Sequence, residues 1–443
     1  MRFALSEVAG IVGGELIGAD AGIDGVSVDS RTLRAGELFV PLVAERDGHD
    51  FAGAAVVAGA AGCLARRDRL EELGRLAVPL VAVADTEVAL RQLGAAARDR
   101  FAGTVVGITG SVGKTSTKDL LAAALGDAGP VRASPASFNN SIGVPLTLLG
   151  AGGDERALVA EIGTNAPGEI AGLAALARPH VAVVTAVSAA HTEAFGTLAA
   201  VADEKSDLVA ALPATGTAVL NADDHRVVAM SARTGAQVVG YGFESGDVRA
   251  ADVTLDGALR PSFVMVTPWG RAQVRLCAAG LHNAHNALGA AAAALVLGVS
   301  IEGVAAGLGR AELSPWRMAV GTSTTGALII NDAYNANPAS VAAALHSLAA
   351  VPARRRVAVL GVMAELGERH DAEHAAIAAL AAELGIELLP VQEAAYGPPP
   401  LPDAAAALAA LGPLGPDDAV LAKGSRVAGL ESLAAALLRS ASG

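Results

Sequence analysis

Short β-branched runs alternate with longer Ala/Leu stretches along most of this chain, and that alternation predicts strands covered by helices. Residues 103–108 read as a short buried strand and residues 117–125 as the helix after it. Apolar runs at 157–160, 181–185 and 218–220 recur between helical stretches, as in a mostly parallel, helix-covered sheet. Upstream, 25–29 and 37–42 are strand-like and 51–61 is helix-like. Asp85-Thr86-Glu87 then supplies an N-cap and an early acid for a helix running to about Phe101. Downstream, 237–276 is less regular and β-rich, 283–297 is helical, and Ser314-Pro315-Trp316-Arg317 reads as a hinge. The pattern restarts with apolar runs at 327–332, 356–361 and 418–422. The predicted fold class is α/β in three domains: a small α/β N-terminal domain (1–84), a central parallel-sheet domain (85–316) and a Rossmann-like doubly wound C-terminal domain (317–443). Pro398-Pro399-Pro400 falls inside the last of these and must be loop, since proline excludes helix and central strand. No internal repeat is evident.

Composition narrows the partners more than the fold. The chain is 52% hydrophobic but only 3% aromatic, so its cores must be built from Ala, Val and Leu. A net charge of −13 leaves no basic footprint for nucleic acid or an anionic membrane, which points to small substrates. Cys63 and Cys277 lie far apart without a partner pattern, so neither a disulfide framework nor a zinc site is expected, and a reducing cytoplasm fits. The first residues lack the apolar core of a signal peptide, and the longest apolar run, 287–299, is shorter than the roughly 20 residues a membrane span needs.

The most specific chemistry lies at Gly107-Ile108-Thr109-Gly110-Ser111-Val112-Gly113-Lys114-Thr115-Ser116. A glycine-rich turn closed by Lys-Thr, between a strand and a helix, builds a nucleoside triphosphate site. Backbone N–H groups from Gly110 to Ser116 would face the phosphates, Lys114 would reach the terminal phosphates, and Thr115 would ligate Mg²⁺. Glu161 ends the run 157–160 and could bring an oxygen ligand for the same cation; the bland alternative is a strand-end salt bridge. Lys205, in Asp203-Glu204-Lys205-Ser206-Asp207, reads from periodicity as part of a solvated helix face. His191 alone reads as a packed or surface histidine. Asn283 and Asn286 have side chains suited to the edges of adenine, although Asn283 could equally cap a helix.

Taken together with Asn331-Asp332-Ala333-Tyr334-Asn335-Ala336-Asn337-Pro338, Phe138-Asn139-Asn140-Ser141-Ile142-Gly143-Val144-Pro145, residues 189–196 and Met363-Ala364-Glu365-Leu366-Gly367, the sequence resembles the Mur ligases over nearly its whole length. These are ATP-dependent amide-forming enzymes of bacterial peptidoglycan precursor synthesis. The resemblance implies ATP and Mg²⁺ as cofactors, Glu161 and His191 as metal ligands, and a carbamate formed from CO₂ on Lys205. It implies adenine contacts from Asn283 and Asn286, an Arg317 that reaches the γ-phosphate, and an Asp332 that holds the ribose. Lys114, Lys205, His191 and Arg317 would form the catalytic set. The substrates implied are a UDP-N-acetylmuramoyl-tripeptide, met by Ser30 and Arg31 in the first domain and by Asn139 and Asn140, and D-alanyl-D-alanine, met by Tyr334, Asn335 and Asn337. Lys423-Gly424-Ser425-Arg426 resembles the family's terminal-domain motif, whereas Val362 stands where relatives carry Asp.

His370-Asp371-Ala372-Glu373-His374 matches the H-x-x-E-H spacing of some zinc peptidases, but the neighbouring charges read as a solvated helix face and no zinc is expected. The expectation is a cytoplasmic, monomeric amide ligase with no nucleic-acid partner and no membrane insertion. A sibling ligase of Mur or folylpolyglutamate type with another amine acceptor, and a regulatory P-loop NTPase, are the competing readings.

Overall fold

Strand alternation in the C-terminal third shows how the predicted layers arise. Ile330, Ala358, Leu360, Ala419 and Leu421 enter one buried cluster, while Ile329, Val357, Val359, Val420 and Ala422 enter another. Successive residues of a strand face opposite ways, so a sheet apolar on both faces must be covered on both. The five strands run in the order Ala319–Thr322, Leu328–Asn331, Asp418–Lys423, Arg355–Leu360, Glu387–Pro390. All pairs are parallel except the first edge pair. This is the doubly wound arrangement expected, and Pro398-Pro399-Pro400 lies in neither helix nor strand.

The structure is a computed structural model describing residues 1–189 and 192–439. It divides into two compact units. The first holds Met1–Gly107, Gly129–Thr164 and Glu169–His180. Its five-stranded sheet runs Glu15–Ile17, Leu80–Val83, Gly62–Arg66, Leu38–Phe39, Val26–Ser27, parallel except at the Glu15–Ile17 edge. The predicted helix is Thr86–Arg100, and Asp85 caps it by accepting from the N–H groups of Glu87 and Val88. At Gly94 that helix runs so close to the helix Gly143–Leu149 that a Cβ would lie 2.9 Å from Pro145. That contact lies within the first unit, which also holds the N-terminal sheet.

The second unit holds Ile108–Ala128, Asn165–Gly168 and Val181–Gly443. Strands Val181–Val184, Thr217–Asn221, Gln237–Gly242 and Val248–Leu255 run parallel, and Pro261–Thr267 and Gly270–Arg275 extend them antiparallel. The irregular 237–276 stretch is thus the rim of a sheet. Helix Leu281–Val296 is almost wholly buried, and small residues let it lie close: a Cβ at Gly289 would come 2.8 Å from the Tyr241 ring. Among the described residues no helix is long and apolar enough to cross a membrane.

Candidate active site

The phosphate loop is held by contacts that only glycine permits. Gly110 and Gly113 have φ of 147° and 84°, and a Cβ on either would collide with Thr185 and Asn286 respectively. Thr185 Oγ1 donates to Val112 O at 2.5 Å, pinning the loop to the strand end at Val184. Helix Lys114–Leu125 starts directly after Gly113, so its N-terminal end closes the loop, as the motif requires. Lys114 Nζ folds back onto Gly110 O at 2.6 Å. Ser111 turns the other way: its N–H donates to Ala186 O at 2.7 Å and its hydroxyl to Ser188 O at 3.1 Å. The Ser111 N–H and hydroxyl are thus both engaged within the chain, and Ser116 is buried in the first turn.

Thr115 is buried and its Oγ1 accepts from Arg317 Nη2 at 2.9 Å. The Arg317 guanidinium also lies 4.1 Å over the Tyr334 ring. Its backbone neighbours are unusual: Trp316 and Met318 have φ of 60° and 50°. A bulky residue in the left-handed region costs on the order of 1–3 kcal/mol, so two flanking one arginine mark a turn that its surroundings must enforce. Tyr334 N–H donates to Trp316 O at 3.3 Å, Met318 N–H donates to Asp332 Oδ1 at 3.0 Å, and the Arg426 guanidinium lies 4.2 Å over the Trp316 ring. Asp332 Oδ2 accepts from Lys423 Nζ at 2.5 Å. The hinge expected at 314–317 is thus a strained turn clamped by the 332–334 segment and by the Lys423–Arg426 loop.

Lys205 departs from its reading as a solvated position. It sits in helix Leu198–Ala210 at 1% exposure, with Glu204 and Ser206 also buried. Periodicity misled because this helix packs on more than one side, which a charge run does not announce. Burial first, and then the nearby charge of Lys114, push its ammonium down to about 7, while Glu204 works in the opposite sense.

Asn283 Nδ2 donates to Ala279 O at 2.7 Å, and Asn286 Nδ2 donates to Asn283 Oδ1 at 3.0 Å, a ladder that ends against Gly113 of the phosphate loop. Asn283 does not cap its helix by side chain; Gly280 occupies that position. Asn335 Oδ1 accepts from Ala336 N–H at 2.9 Å. Asn337, expected at the substrate, is the N-cap of helix Pro338–Ala349 in a capping box with Ser340.

In the first unit Glu161 is 1% exposed at the end of its strand, and Asn139 Nδ2 donates to its Oε1 at 2.8 Å. Asn140 Oδ1 accepts from Gly143 N–H at 2.9 Å at the start of the next helix. Arg31 pairs with Asp29 at 2.6 Å and is 86% exposed, beside Ser30 in an open turn. His191 lies outside the described residues.

The H-x-x-E-H stretch gains a third group that sequence spacing could not supply. His370, His374 and Glu393 bring ligand-type atoms within 4.8 Å of one another. Both ring nitrogens of His374 are engaged, however: Nδ1 with His370 O at 2.7 Å and Nε2 with the N–H of Met363 at 2.9 Å. Glu373 pairs with Arg369, not with the histidines. A metal would have to displace the Met363 contact, so the cluster reads as a buried hydrogen-bond node holding the 361–367 loop. Val362, at the position of the missing Asp, meets the Lys-Gly-Ser-Arg loop through its carbonyl, which accepts from Ser425 N–H at 2.9 Å.

A phosphate loop whose threonine accepts from an arginine in the turn before a second sheet marks a nucleotide-using α/β protein. The Mur ligase middle domain family matches residues 108–294 and the Mur ligase, glutamate ligase domain family matches 316–426. The UDP-N-acetylmuramoyl-tripeptide–D-alanyl-D-alanine ligase of Mycobacterium tuberculosis (strain H37Rv) is 40% identical, over 99% of this chain and 98% of that protein. A crystal structure of MurF from Acinetobacter baumannii superposes with a TM-score of 0.88 at 30% identity, covering 99% of each chain. MurF from Thermotoga maritima, solved in complex with ADP, gives 0.78 at 26% identity, covering 92% of this chain and 96% of that one. The chain belongs to the Mur ligase family.

Proposed function

We propose that this chain joins D-alanyl-D-alanine to the free carboxylate of a UDP-N-acetylmuramoyl-tripeptide in cytoplasmic peptidoglycan precursor synthesis, converting ATP to ADP and phosphate. Whole-length similarity to ligases of that specificity supports the substrates. The observation that carries the mechanism is the Arg317–Thr115 hydrogen bond, which brings a cation from the 314–317 turn onto the phosphate loop.

The tripeptide carboxylate attacks the γ-phosphorus in line, the bond to the ADP oxygen breaks, and an acyl phosphate forms. Lys114 and Arg317 stabilise the charge that moves onto the phosphate oxygens, and family resemblance assigns the adenine end to Asn283 and Asn286. The dipeptide amine then attacks the acyl carbon, loses a proton, and expels phosphate. Tyr334 and Asn335 border this second site. Asp332 can take a ribose hydroxyl on lone pairs that its two protein contacts leave over.

Family resemblance assigns Mg²⁺ to Thr115, Glu161 and His191, and a hydroxyl and a carboxylate are oxygen donors of the kind a hard cation takes. Mg²⁺ bound there would supply positive charge against the phosphate oxygens. Lys205 suits carbamate formation, because near neutral pH a substantial share of its amine is uncharged. The Nζ lone pair forms a bond to the carbon of CO₂, one C=O pair moves to oxygen, and the nitrogen gives up a proton. The product is an anion where an ammonium would repel the metal.

Phosphate release measured with each reactant omitted tests the reading. Turnover should require ATP, Mg²⁺, the UDP-muramoyl-tripeptide and D-alanyl-D-alanine together, with L-alanyl-L-alanine a poor substitute. ATP hydrolysis that ignores the acceptor would overturn it in favour of a regulatory NTPase, and dependence on a single amino acid would favour a sibling ligase.

A further inference from the structure

The strained turn that carries Arg317 has a feature the ligation scheme does not use. Lys423 ends the strand Asp418–Lys423 and is 2% exposed. Its ammonium makes two hydrogen bonds, to Asp332 Oδ2 at 2.5 Å and to Asn335 O at 2.9 Å. The other Asp332 oxygen accepts from Met318 N–H at 3.0 Å. One buried charge is thereby joined to the turn at 316–318 on one side and to the Asn335 segment on the other. With Trp316 and Met318 both at positive φ, the turn does not hold its own shape, so the contacts from Asp332, Tyr334 and Arg426 must hold it.

We propose that Lys423 is a positioning residue of this site, a latch that fixes the Arg317 turn and the Asn335 segment in one geometry. Without the ammonium, the Asp332 carboxylate loses its partner in a nearly dry setting and turns toward water. The Met318 N–H then loses its acceptor, and the turn can relax away from the phosphate loop. ATP binding by the loop itself would survive; alignment of Arg317 with the reacting phosphate would not. A plain stitching role for the Lys423–Asp332 pair makes a different demand: lower stability, with the turn and the turnover number unchanged.

The activity arm rests on the ligase reading above, whereas the spectroscopic arm does not. The chain has two tryptophans, so Trp269→Phe leaves Trp316 as a reporter inside the turn. In that full-length background, Lys423→Met should raise acrylamide quenching of Trp316 by about twofold as the ring leaves Arg426. In the four-reactant phosphate assay kcat should fall by about tenfold or more while the KM for ATP stays within about threefold. Unchanged quenching in a folded variant overturns the latch whatever the activity. Raised quenching with kcat within about twofold of the parent overturns its part in positioning. Should Lys423→Met not fold, Lys423→Gln, which keeps polar donors on a side chain one atom shorter and carries no charge, is read the same way and should move both signals in the same direction. A parent enzyme that ignores the dipeptide would sink the ligase reading, and the Trp316 signal would still decide the latch.

Discussion

Lys205 and Lys423 are both withdrawn from water, and the two regions that hold them treat that charge in opposite ways. At the hinge, Lys423 meets a carboxylate at 2.5 Å and a carbonyl at 2.9 Å, which hold its buried ammonium in place. Behind the phosphate loop, Lys205 has another lysine's charge for a neighbour, and Glu204 offsets burial only in part, so its amine falls to about 7. A cation buried with a dedicated acceptor is a structural joint. One buried beside a like charge is instead held below the ordinary lysine range, which suits the carbamate chemistry proposed for Lys205.

The largest expected effect breaks the hinge side of that comparison. Arg317→Ala should lower kcat by about 10³-fold, the scale on which a single arginine at a transferring phosphoryl group acts, with secondary structure intact by circular dichroism. Retention of more than about a tenth of the turnover would remove Arg317 from the chemistry. Lys205→Ala, on the other side, should cost about 10²-fold, and added formate or acetate should restore part of it by placing an anion near the vacant position. A variant of full activity would exclude the carbamate.

Stability against pH sharpens the contrast with a smaller effect. The Lys205 amine is depressed in the folded state from an ordinary value near 10.5 to about 7. Protonation is therefore favoured in the unfolded chain. The resulting destabilisation is fully present below about pH 7 and is relieved as pH rises toward 10.5. In CO₂-free buffer Lys205→Met should exceed the parent in stability at pH 6, and that advantage should shrink by roughly 3 kcal/mol at pH 9, read by urea unfolding. An advantage independent of pH would mean that the amine is not depressed.

These regions also differ in how far the sequence reveals them. Gly110 and Gly113 are legible because their positive φ and crowded Cβ positions admit one residue type, and the Asp85 cap is legible because its partners are two and three residues away. The doubly wound C-terminal sheet follows from apolar runs that need cover on both faces. The burial of Lys205 is not legible, since a helix packed on several sides carries the same charge run as an exposed one. Nor is the strained turn, because Trp316 and Met318 are not residues that announce positive φ. Glu393 joins His370 and His374 only through the fold, and Thr185 reaches the phosphate loop the same way.

Asn337 sets the finest test, because two accounts compete for one side chain. Resemblance places it at the dipeptide; the structure gives its Oδ1 to the N–H of Ser340 at 2.9 Å, with Ser340 Oγ accepting from the Asn337 N–H at 3.0 Å. A capping residue of this kind is worth about 1 kcal/mol, and serine caps nearly as well as asparagine. Asn337→Ala should therefore lose about 1 kcal/mol of stability, and Asn337→Ser should stay within about 0.5 kcal/mol of the parent. The serine variant separates the accounts, since it preserves the cap while removing an amide that could reach substrate. If Asn337 acts only through the helix start, the KM for D-alanyl-D-alanine in Asn337→Ser stays within about twofold, and a rise of about tenfold at unchanged stability would return the residue to the substrate site.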